Sequence, residues 1–305
     1  MQPGTGSLIR FMADVEGRHP VQIRGRLLDM VEPTPSEEFE DALRMAFESK
    51  PTVEEPPIFI KLPQQFLPLR EGGSRMAKAY LKFAQDRGLN LWDLENWNVR
   101  FCPVLPPSMQ QAINHWKGRI IFPIYDREGK LRSAVGRALP SKIVRTPWVN
   151  WPESDIGSLL WPLGYFSGTK WVECSMFSMS HAVLVEGIFD AMAVLDSCGS
   201  ELAFRTFCTF GKKISDSQIE LLHELGITGI TLAWDKDAKT EIQAAATKLS
   251  EGFDEILVFP FNSPKWEECD LGDVLRGRVP PELIEEELNA AVDVQSSEYV
   301  AWQFQ

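Results

Sequence analysis

The sequence predicts an α/β protein in which a mixed α+β segment precedes a domain built on a parallel β-sheet. Beyond residue 180, four apolar strands alternate with three amphipathic helices, which is typical of βαβ units and of a sheet covered by helices on both faces. Upstream, two apolar runs flank a polar turn that contains a glycine, and this predicts an antiparallel strand pair in a mostly β region. The two patterns indicate two successive units of different architecture.

Five segments follow from these patterns and from local composition. They are a helical segment at 1–31, a linker rich in Pro and Glu at 32–57, a basic subdomain at 58–170, the parallel-sheet domain at 171–276 and a helical tail at 277–305.

The individual elements are predicted from hydrophobic periodicity. The basic subdomain is expected to contain helices at 74–88 and 91–97, strands at 119–125 and 131–139, and an ordered loop at 142–167. The sheet domain is expected to contain strands at 181–186, 204–210, 227–235 and 255–261, and helices at 189–197, 216–225 and 241–251.

Composition excludes several classes of protein. No run of roughly 20 apolar residues and no signal peptide is present in the 305 residues, so a cytoplasmic protein without a membrane span is expected. The five cysteines lie far apart, with no C-x-x-C pair and no histidine at ligand spacing. The sequence therefore predicts neither a zinc site nor a disulfide framework.

Charge is distributed unevenly along the chain. The formal net charge of -12 argues against a nucleic-acid partner, because phosphate binding needs positive potential. Between residues 100 and 150, however, nine basic residues stand against two acidic ones, a local balance of +7. A basic segment within an acidic chain is a candidate surface for a polyanion. Lys212 and Lys213, after the second strand of the sheet domain, are interpreted as surface lysines, with phosphate contact as the alternative.

Acidic side chains follow three of the predicted strands of the sheet domain. Glu186 ends the first strand, with Asp190 in the next helical turn; Asp235 and Asp237 end the third, and Asp270 follows the fourth. In open α/β sheets the site lies beyond the carboxyl ends of the strands. Two carboxylates about 4 Å apart repel by roughly 4 kcal/mol at an effective dielectric of 20, so a group of them takes up protons or binds cations. Ligands that are all oxygen select Mg²⁺ or Mn²⁺.

These residues resemble a known family. Val185-Glu-Gly-Ile-Phe-Asp190 is similar to the first TOPRIM motif, and Asp235-Lys-Asp237 is similar to its D-x-D motif. Upstream, the segments Tyr80 to Leu89, Arg119 to Lys130 and Gly136-Arg137 resemble the N-terminal half of the RNA polymerase core of DnaG-type primases, in their phage branch. The match covers about residues 74–276 and implies an enzyme of the bacterial cytoplasm, encoded by a phage or by the cell.

The resemblance implies roles for individual residues. Glu186 would be a general base or metal ligand, and the metal ligands would also include Asp190, Asp235, Asp237 and Asp270. Two Mg²⁺ or Mn²⁺ ions would bridge the incoming triphosphate and the 3′-hydroxyl. Template or nucleotide phosphates would be held by Arg119 and Arg137, with Lys142 and Arg145 as further candidates for the same role.

Some positions depart from the family pattern. Thr240 stands where the family usually has Gly, and it is expected to cap the following helix instead. Gly272 stands where a second acid or Asn is usual, which leaves Asp273 as a substitute. A basic residue of the family is replaced by Gly157-Ser158.

The function implied by the resemblance is that of a DNA primase catalytic core, a nucleotidyltransferase that makes short RNA primers. Its expected partners are single-stranded DNA, ribonucleoside triphosphates and a replicative helicase. Gly6 to Gly17 resembles the helix after the zinc ribbon of these primases, but the ribbon is missing. A zinc-binding module is therefore expected in trans or not at all, unless the start of the chain is misplaced and the ribbon lies upstream of it. Two alternatives stay open: a TOPRIM nuclease that uses the same metals, and a catalytically degenerate subunit that binds single-stranded DNA.

Overall fold

The computed structural model describes residues 58–70, 75–103, 114–139, 146–152, 154–173, 180–198, 205–296 and 299. These residues belong to one compact unit. The predictions for residues 1–31 and 32–57, and those for Lys142 and Arg145, lie outside the described residues.

An antiparallel sheet forms the first half of the described chain. Its strands are β1 (Leu67–Pro68), β2 (Arg100–Cys102), β3 (Arg119–Tyr125), β4 (Leu131–Ala138) and β5 (Trp148–Asn150), and they pair in that order. Helices α1 (Arg75–Asp86) and α2 (Leu91–Asn96) precede β2, and a hairpin of β6 (Gly164–Ser167) and β7 (Lys170–Glu173) follows β5.

The predicted strand pair is confirmed, since β3 and β4 pair antiparallel from Arg119 opposite Ala138 to Tyr125 opposite Leu131. The prediction of a loop throughout 142–167 is wrong in part, because β5 and β6 lie within that stretch. β5 has only three residues and forms by pairing with β4, and so short a run carries no periodic signal of its own.

A five-stranded sheet forms the second half. Its strands are β8 (His181–Val185), β9 (Thr206–Cys208), β10 (Gly229–Ala233), β11 (Glu255–Val258) and β12 (Val292–Asp293), in the order β12-β11-β10-β8-β9. The helices are α3 (Ile188–Ser197), α4 (Asp216–Glu224), α5 (Lys239–Leu249) and α6 (Glu282–Asn289). Strands β8 to β11 are parallel, and β12 is antiparallel to β11.

The predicted α/β class and its four parallel strands are confirmed, with ends a few residues shorter than expected. All five residues of β10 are buried, as expected where helices cover both faces of a sheet. The prediction of a purely helical tail is wrong in its middle, because β12 follows α6 and extends the sheet.

The two sheets share one hydrophobic core. Phe189 at the start of α3 lies with its ring centroid 5.7 Å from that of Phe122 in β3 and 5.7 Å from that of Trp148 in β5. The boundary predicted near residue 170 therefore does not interrupt the core.

The order of the parallel strands creates a crevice. The chain passes from β8 to β9 on one side and then returns to β10 and β11 on the other side of β8. Such a reversal leaves the carboxyl ends of β8 and β10 open, which is where open α/β sheets bind their ligands. None of the helices in the described ranges combines the length and apolar character that crossing a membrane requires.

Candidate active site

A cavity of about 340 Å³ lies at the carboxyl ends of β8 and β10, where the two sheets meet. The parallel-sheet half contributes an acidic side made of Glu186, Asp190, Asp235 and Asp270. The antiparallel half and the end of α1 contribute a basic and aromatic side that includes Arg87, Arg137, Trp148 and Asn150. Four of the five predicted acidic residues thus line one cavity, whereas the side chain of Asp237 is 75% exposed and does not line it.

Strand register brings Glu186 and Asp235 together. Val185 lies opposite Ala233 in the paired strands β8 and β10, so both acids follow at the same edge. Burial, with the neighbouring Asp235, raises the pKa of Glu186 to about 7. Burial, together with the charge of Asp270, also raises the pKa of Asp235. The carboxyl groups of Glu186 and Asp235 share a hydrogen bond. Glu186 Oε2 is buried and accepts no hydrogen bond from the described residues. The pair therefore holds a proton near neutral pH and still has an unsatisfied oxygen.

Asp190 is held in place by two backbone amides. Its Oδ2 accepts a hydrogen bond from the Gly187 amide and its Oδ1 accepts one from the Gly272 amide, both at 3.0 Å. Burial, followed by the charges of Asp235 and Asp270, raises the pKa of Asp190 well above its usual range. A Cβ at position 272 would lie 3.2 Å from Asp190 Oδ1, so a glycine there allows the loop to approach closely.

The loop after β11 carries Asp270 to the cavity. Lys236 donates hydrogen bonds to the carbonyls of Trp266 and Glu267, and this ties the end of β10 to that loop. Asp270 Oδ1 accepts a hydrogen bond from the Asp273 amide at 2.9 Å. Burial, with the charge of Asp273, raises the pKa of Asp270.

Asp273, expected as a substitute ligand, does not line the cavity. Its carboxylate accepts hydrogen bonds from Arg276 at 2.9 Å and Arg278 at 3.3 Å, and its side chain is 8% exposed. Two arginines therefore neutralise this acid within its own loop.

Two other departures from the family pattern have local explanations. Thr240 does not cap α5: the N-cap is Ala238, and Thr240 lies inside the first turn. The Gly157 carbonyl accepts a hydrogen bond from Ser215 Oγ at 2.5 Å, so this loop packs against the start of α4.

Arg87 also lines the cavity, although its sequence context does not mark it as a site residue. It follows the last residue of α1, and the next residue, Gly88, has a φ of +87° and lies where a Cβ would overlap the Leu275 carbonyl. This turn brings the Arg87 guanidinium 5.2 Å from the centroid of the Phe189 ring. The sequence signal for Arg87 is a basic residue directly before a glycine that follows a helix. No neighbouring residue in the sequence indicates that this arginine lies near the acidic residues of the cavity.

Arg137 reaches the cavity from β4. Its guanidinium lies 4.9 Å from the centroid of the Trp148 ring, and its Nε is buried without an acceptor among the described residues. Burial, together with the nearby charges of Arg87 and Arg119, lowers the pKa of Arg137. Among the described residues, no acidic side chain forms an ion pair with Arg137.

Arg119 differs from its predicted role in binding phosphate. It is 4% exposed, and its guanidinium donates to the carbonyls of His115, Thr146 and Pro147 at 2.6–2.9 Å. These bonds hold the end of the loop before β5, so Arg119 supports the fold beside the cavity.

Other described basic residues between positions 100 and 150 also make structural contacts. Arg127 pairs with Glu173 at 2.7 Å, and Arg100 donates to the Phe66 carbonyl at 3.1 Å. Of the described basic residues in this segment, Arg137 is the one that lines the cavity.

Lys212 lies within the acidic cluster. Its Nζ is 2.6 Å from Asp237 Oδ1 and 3.7 Å from Glu186 Oε2, and its side chain is 26% exposed. Partial burial lowers the pKa of Lys212, but the hydrogen bond to Asp237 and the charge of Glu186 outweigh this and raise it. The interpretation of Lys212 as a surface lysine is therefore wrong. Across the described part of the chain, no three acidic, histidine or cysteine side chains stand in a ready-made metal-binding arrangement.

Comparisons with known proteins give a fold. No protein-family model and no curated protein matches the sequence. Among solved structures, a DnaG primase catalytic domain bound to ssDNA is similar with a TM-score of 0.57 and 17% identity over 77% of this chain and 78% of that chain. The primase catalytic core of E. coli gives a TM-score of 0.56 and 17% identity, over 75% and 78%. A DNA primase domain from Pseudomonas aeruginosa gives 0.57 and 17%, over 75% and 76%.

This chain has the fold of a DnaG primase catalytic core. The predicted likeness to DnaG-type primases is confirmed at the level of fold, because each similarity covers about three quarters of both chains. At these identities the roles of the individual residues in the cavity stay predictions.

Proposed function

We propose that this chain is the catalytic core of a DNA primase, which joins ribonucleotides into short primers on single-stranded DNA with Mg²⁺ or Mn²⁺. The observation that carries the proposal is the cavity of the DnaG-like fold, in which four carboxylates and two arginines meet. A solved structure with this fold is bound to single-stranded DNA, which supports the same template here.

The carboxylates suit a divalent cation. Glu186 Oε2 is buried without a donor, and burial and like charges raise the pKa values of Glu186 and Asp235. A bound cation would relieve this repulsion by replacing the shared proton. We assign the ligands to Glu186, Asp190, Asp235 and Asp270, with Asp237 at the rim. When bound, Mg²⁺ or Mn²⁺ would supply positive charge to the phosphates and acidify the attacking 3′-hydroxyl.

The protein's own groups would orient the reactants. Arg137 and Arg87 lack a paired acid at hydrogen-bond distance in the described structure and line the cavity with Trp148 and Phe189. Guanidinium groups bind phosphates in a bidentate manner, and aromatic rings stack on bases. Alternatively, Glu186 would stay outside the set of metal ligands and accept the proton that leaves the 3′-hydroxyl.

Extension of a preformed RNA primer annealed to single-stranded DNA tests the proposal. This assay tests the joining of nucleotides separately from initiation, so its result does not depend on a zinc-binding module in trans. Labelled ribonucleotides and Mn²⁺ or Mg²⁺ are supplied, and the wild type is compared with Asp235→Asn. We expect metal-dependent extension by the wild type and its loss in the variant. The matched control is Asp216→Asn, because the Asp216 side chain is 88% exposed and pairs with Lys248 away from the cavity.

The other functions give different products in the same assay. Degradation of the template that depends on Asp235 would favour a nuclease. Binding of labelled single-stranded DNA without extension or degradation would favour a degenerate binding subunit. Either result would contradict the proposed polymerase.

The arginines give a second test. Arg137→Ala should weaken binding of single-stranded DNA or raise the KM for ribonucleotides, and it should lower the dependence of binding on salt. Arg127→Ala is the control, since Arg127 pairs with Glu173 in the β7 strand. Equal effects of the two substitutions would show that the cavity is not the phosphate site.

A further inference from the structure

The loop after β9 holds Lys212 beside the acidic cluster. The Gly211 amide donates to the Glu186 carbonyl at 3.0 Å, and Thr209 Oγ1 contacts the carbonyls of Val185 and Gly211 at 3.1 and 2.7 Å. The backbone on which Lys212 stands is therefore fastened to the end of β8. Proximity of its ammonium to Glu186 is thus built into the fold.

The Lys212 ammonium contacts carboxylate oxygens that a divalent cation would bind. It binds Asp237 Oδ1 at 2.6 Å and lies 3.7 Å from Glu186 Oε2, the buried oxygen that accepts no hydrogen bond from the described residues. A lysine carries three donors on a flexible stem, so it can leave the cluster when a stronger cation arrives. The same oxygens cannot be fully shared, because a nearby positive charge repels a divalent ion.

We propose that Lys212 is an internal competitor for the divalent-cation site and sets the cation concentration at which that site fills. The inference rests on the proposed metal binding by Glu186 and its neighbours. In the absence of metal, Lys212 neutralises the outer part of the cluster; on metal binding, its ammonium moves off Glu186 and Asp237 toward solvent.

The role of Lys212 is tested by measuring Mn²⁺ binding directly with electron paramagnetic resonance. The measurement uses the full chain without nucleotide or DNA. Lys212→Met should bind Mn²⁺ about tenfold more tightly than the wild type, because a unit charge about 4 Å away no longer opposes the ion. Lys212→Arg keeps the charge and should stay close to the wild type. Lys213→Met is the matched control, since Lys213 is exposed and one residue away, and its affinity should not change. Lys212→Gln repeats the test if the Met variant fails to fold by circular dichroism.

The outcomes separate the inference from the proposed function. Mn²⁺ binding that is lost in Asp235→Asn but unchanged in Lys212→Met and Lys212→Gln would overturn the role of Lys212 alone. An equal gain in Lys213→Met would also overturn it, because the effect would then be one of net charge. No binding to the wild type or to either Lys212 variant would overturn both the inference and the metal site.

Discussion

Glu186 and Asp273 are two largely buried carboxylates whose surroundings differ sharply. Asp273 accepts hydrogen bonds from Arg276 and Arg278, so its charge is neutralised within its own loop. Glu186 lies against Asp235 instead, keeps a buried oxygen without a donor, and has its pKa raised to about 7. The comparison teaches that burial does not by itself mark a functional acid. What distinguishes the cavity is a group of like charges that Lys212, 3.7 Å from Glu186 Oε2, offsets only in part.

Glu186→Gln is expected to have the largest effect of the substitutions that test this comparison. Loss of the base or ligand should lower primer extension by at least about 100-fold. Without metal, the same change should raise the free energy of unfolding at pH 8 by about 1 kcal/mol, because it removes a buried charge among like charges.

The sign of this stability effect follows from the pKa values. The native pKa of about 7 lies above the ordinary value of 4.5, so between these pH values the native state holds more protons than the unfolded state. In the wild type, the contribution of the Glu186 carboxyl to the free energy of unfolding is fully present below pH 4.5. It is lost as the pH rises through 7. The gain in Glu186→Gln should therefore disappear at pH 4.5 in urea unfolding with EDTA. A destabilised variant at pH 8 would contradict the contrast with Asp273.

Asp273→Asn is the same kind of substitution and should act in the opposite direction. It leaves two arginines without their shared carboxylate, and we expect a loss of about 2–3 kcal/mol in the free energy of unfolding at pH 7. Urea unfolding followed by tryptophan fluorescence measures it. Primer extension by the folded fraction should persist, and a selective loss of activity with full stability would place Asp273 in the site after all.

Asp93 shows whether a raised pKa alone can identify a functional acid. Burial raises its pKa from 3.8 to about 6, yet Asp93 lies at the start of α2 and does not line the cavity. Between pH 3.8 and 6 the native state binds more protons, so stability falls as the pH rises through this window. Asp93→Asn should raise the free energy of unfolding by about 2 kcal/mol at pH 7 and should not change it near pH 3.8. The hydrogen bond is kept, because the amide oxygen can still accept from the Asn90 amide.

Activity is the second measurement on Asp93→Asn. Unchanged primer extension would sharpen the comparison, since a buried acid with a raised pKa would then be shown to be structural. A loss comparable to that of Glu186→Gln would break it.

Lys82→Ala should have the smallest effect. Lys82 and Asp86 form an ion pair at 3.0 Å on α1, but their side chains are 75% and 58% exposed. Water screens such a pair, so we expect a change in the free energy of unfolding of no more than about 0.5 kcal/mol. A loss as large as that expected for Asp273→Asn would mean that burial does not determine how much an ion pair contributes to the free energy of unfolding.

The sequence by itself determined the architecture and the acidic half of the cavity. Alternation of apolar strands with amphipathic helices depends on neighbours a few residues apart, so periodicity was enough to predict the parallel sheet. Glu186 and Asp235 each terminate a strand, and parallel strands bring their carboxyl ends to one edge. The short strands β5 and β12 were missed because they exist only through pairing with a longer neighbour.

The tertiary structure alone decided which charges face one another. Arg119 and Arg137 are both basic residues on adjacent strands. The Arg119 guanidinium donates to three backbone carbonyls, whereas Arg137 lines the cavity. Arg87 and Lys212 join the acids through segments that are distant in the chain. The energy of a charge depends on which partners lie within a few ångströms, and that distance is fixed only when the two sheets pack.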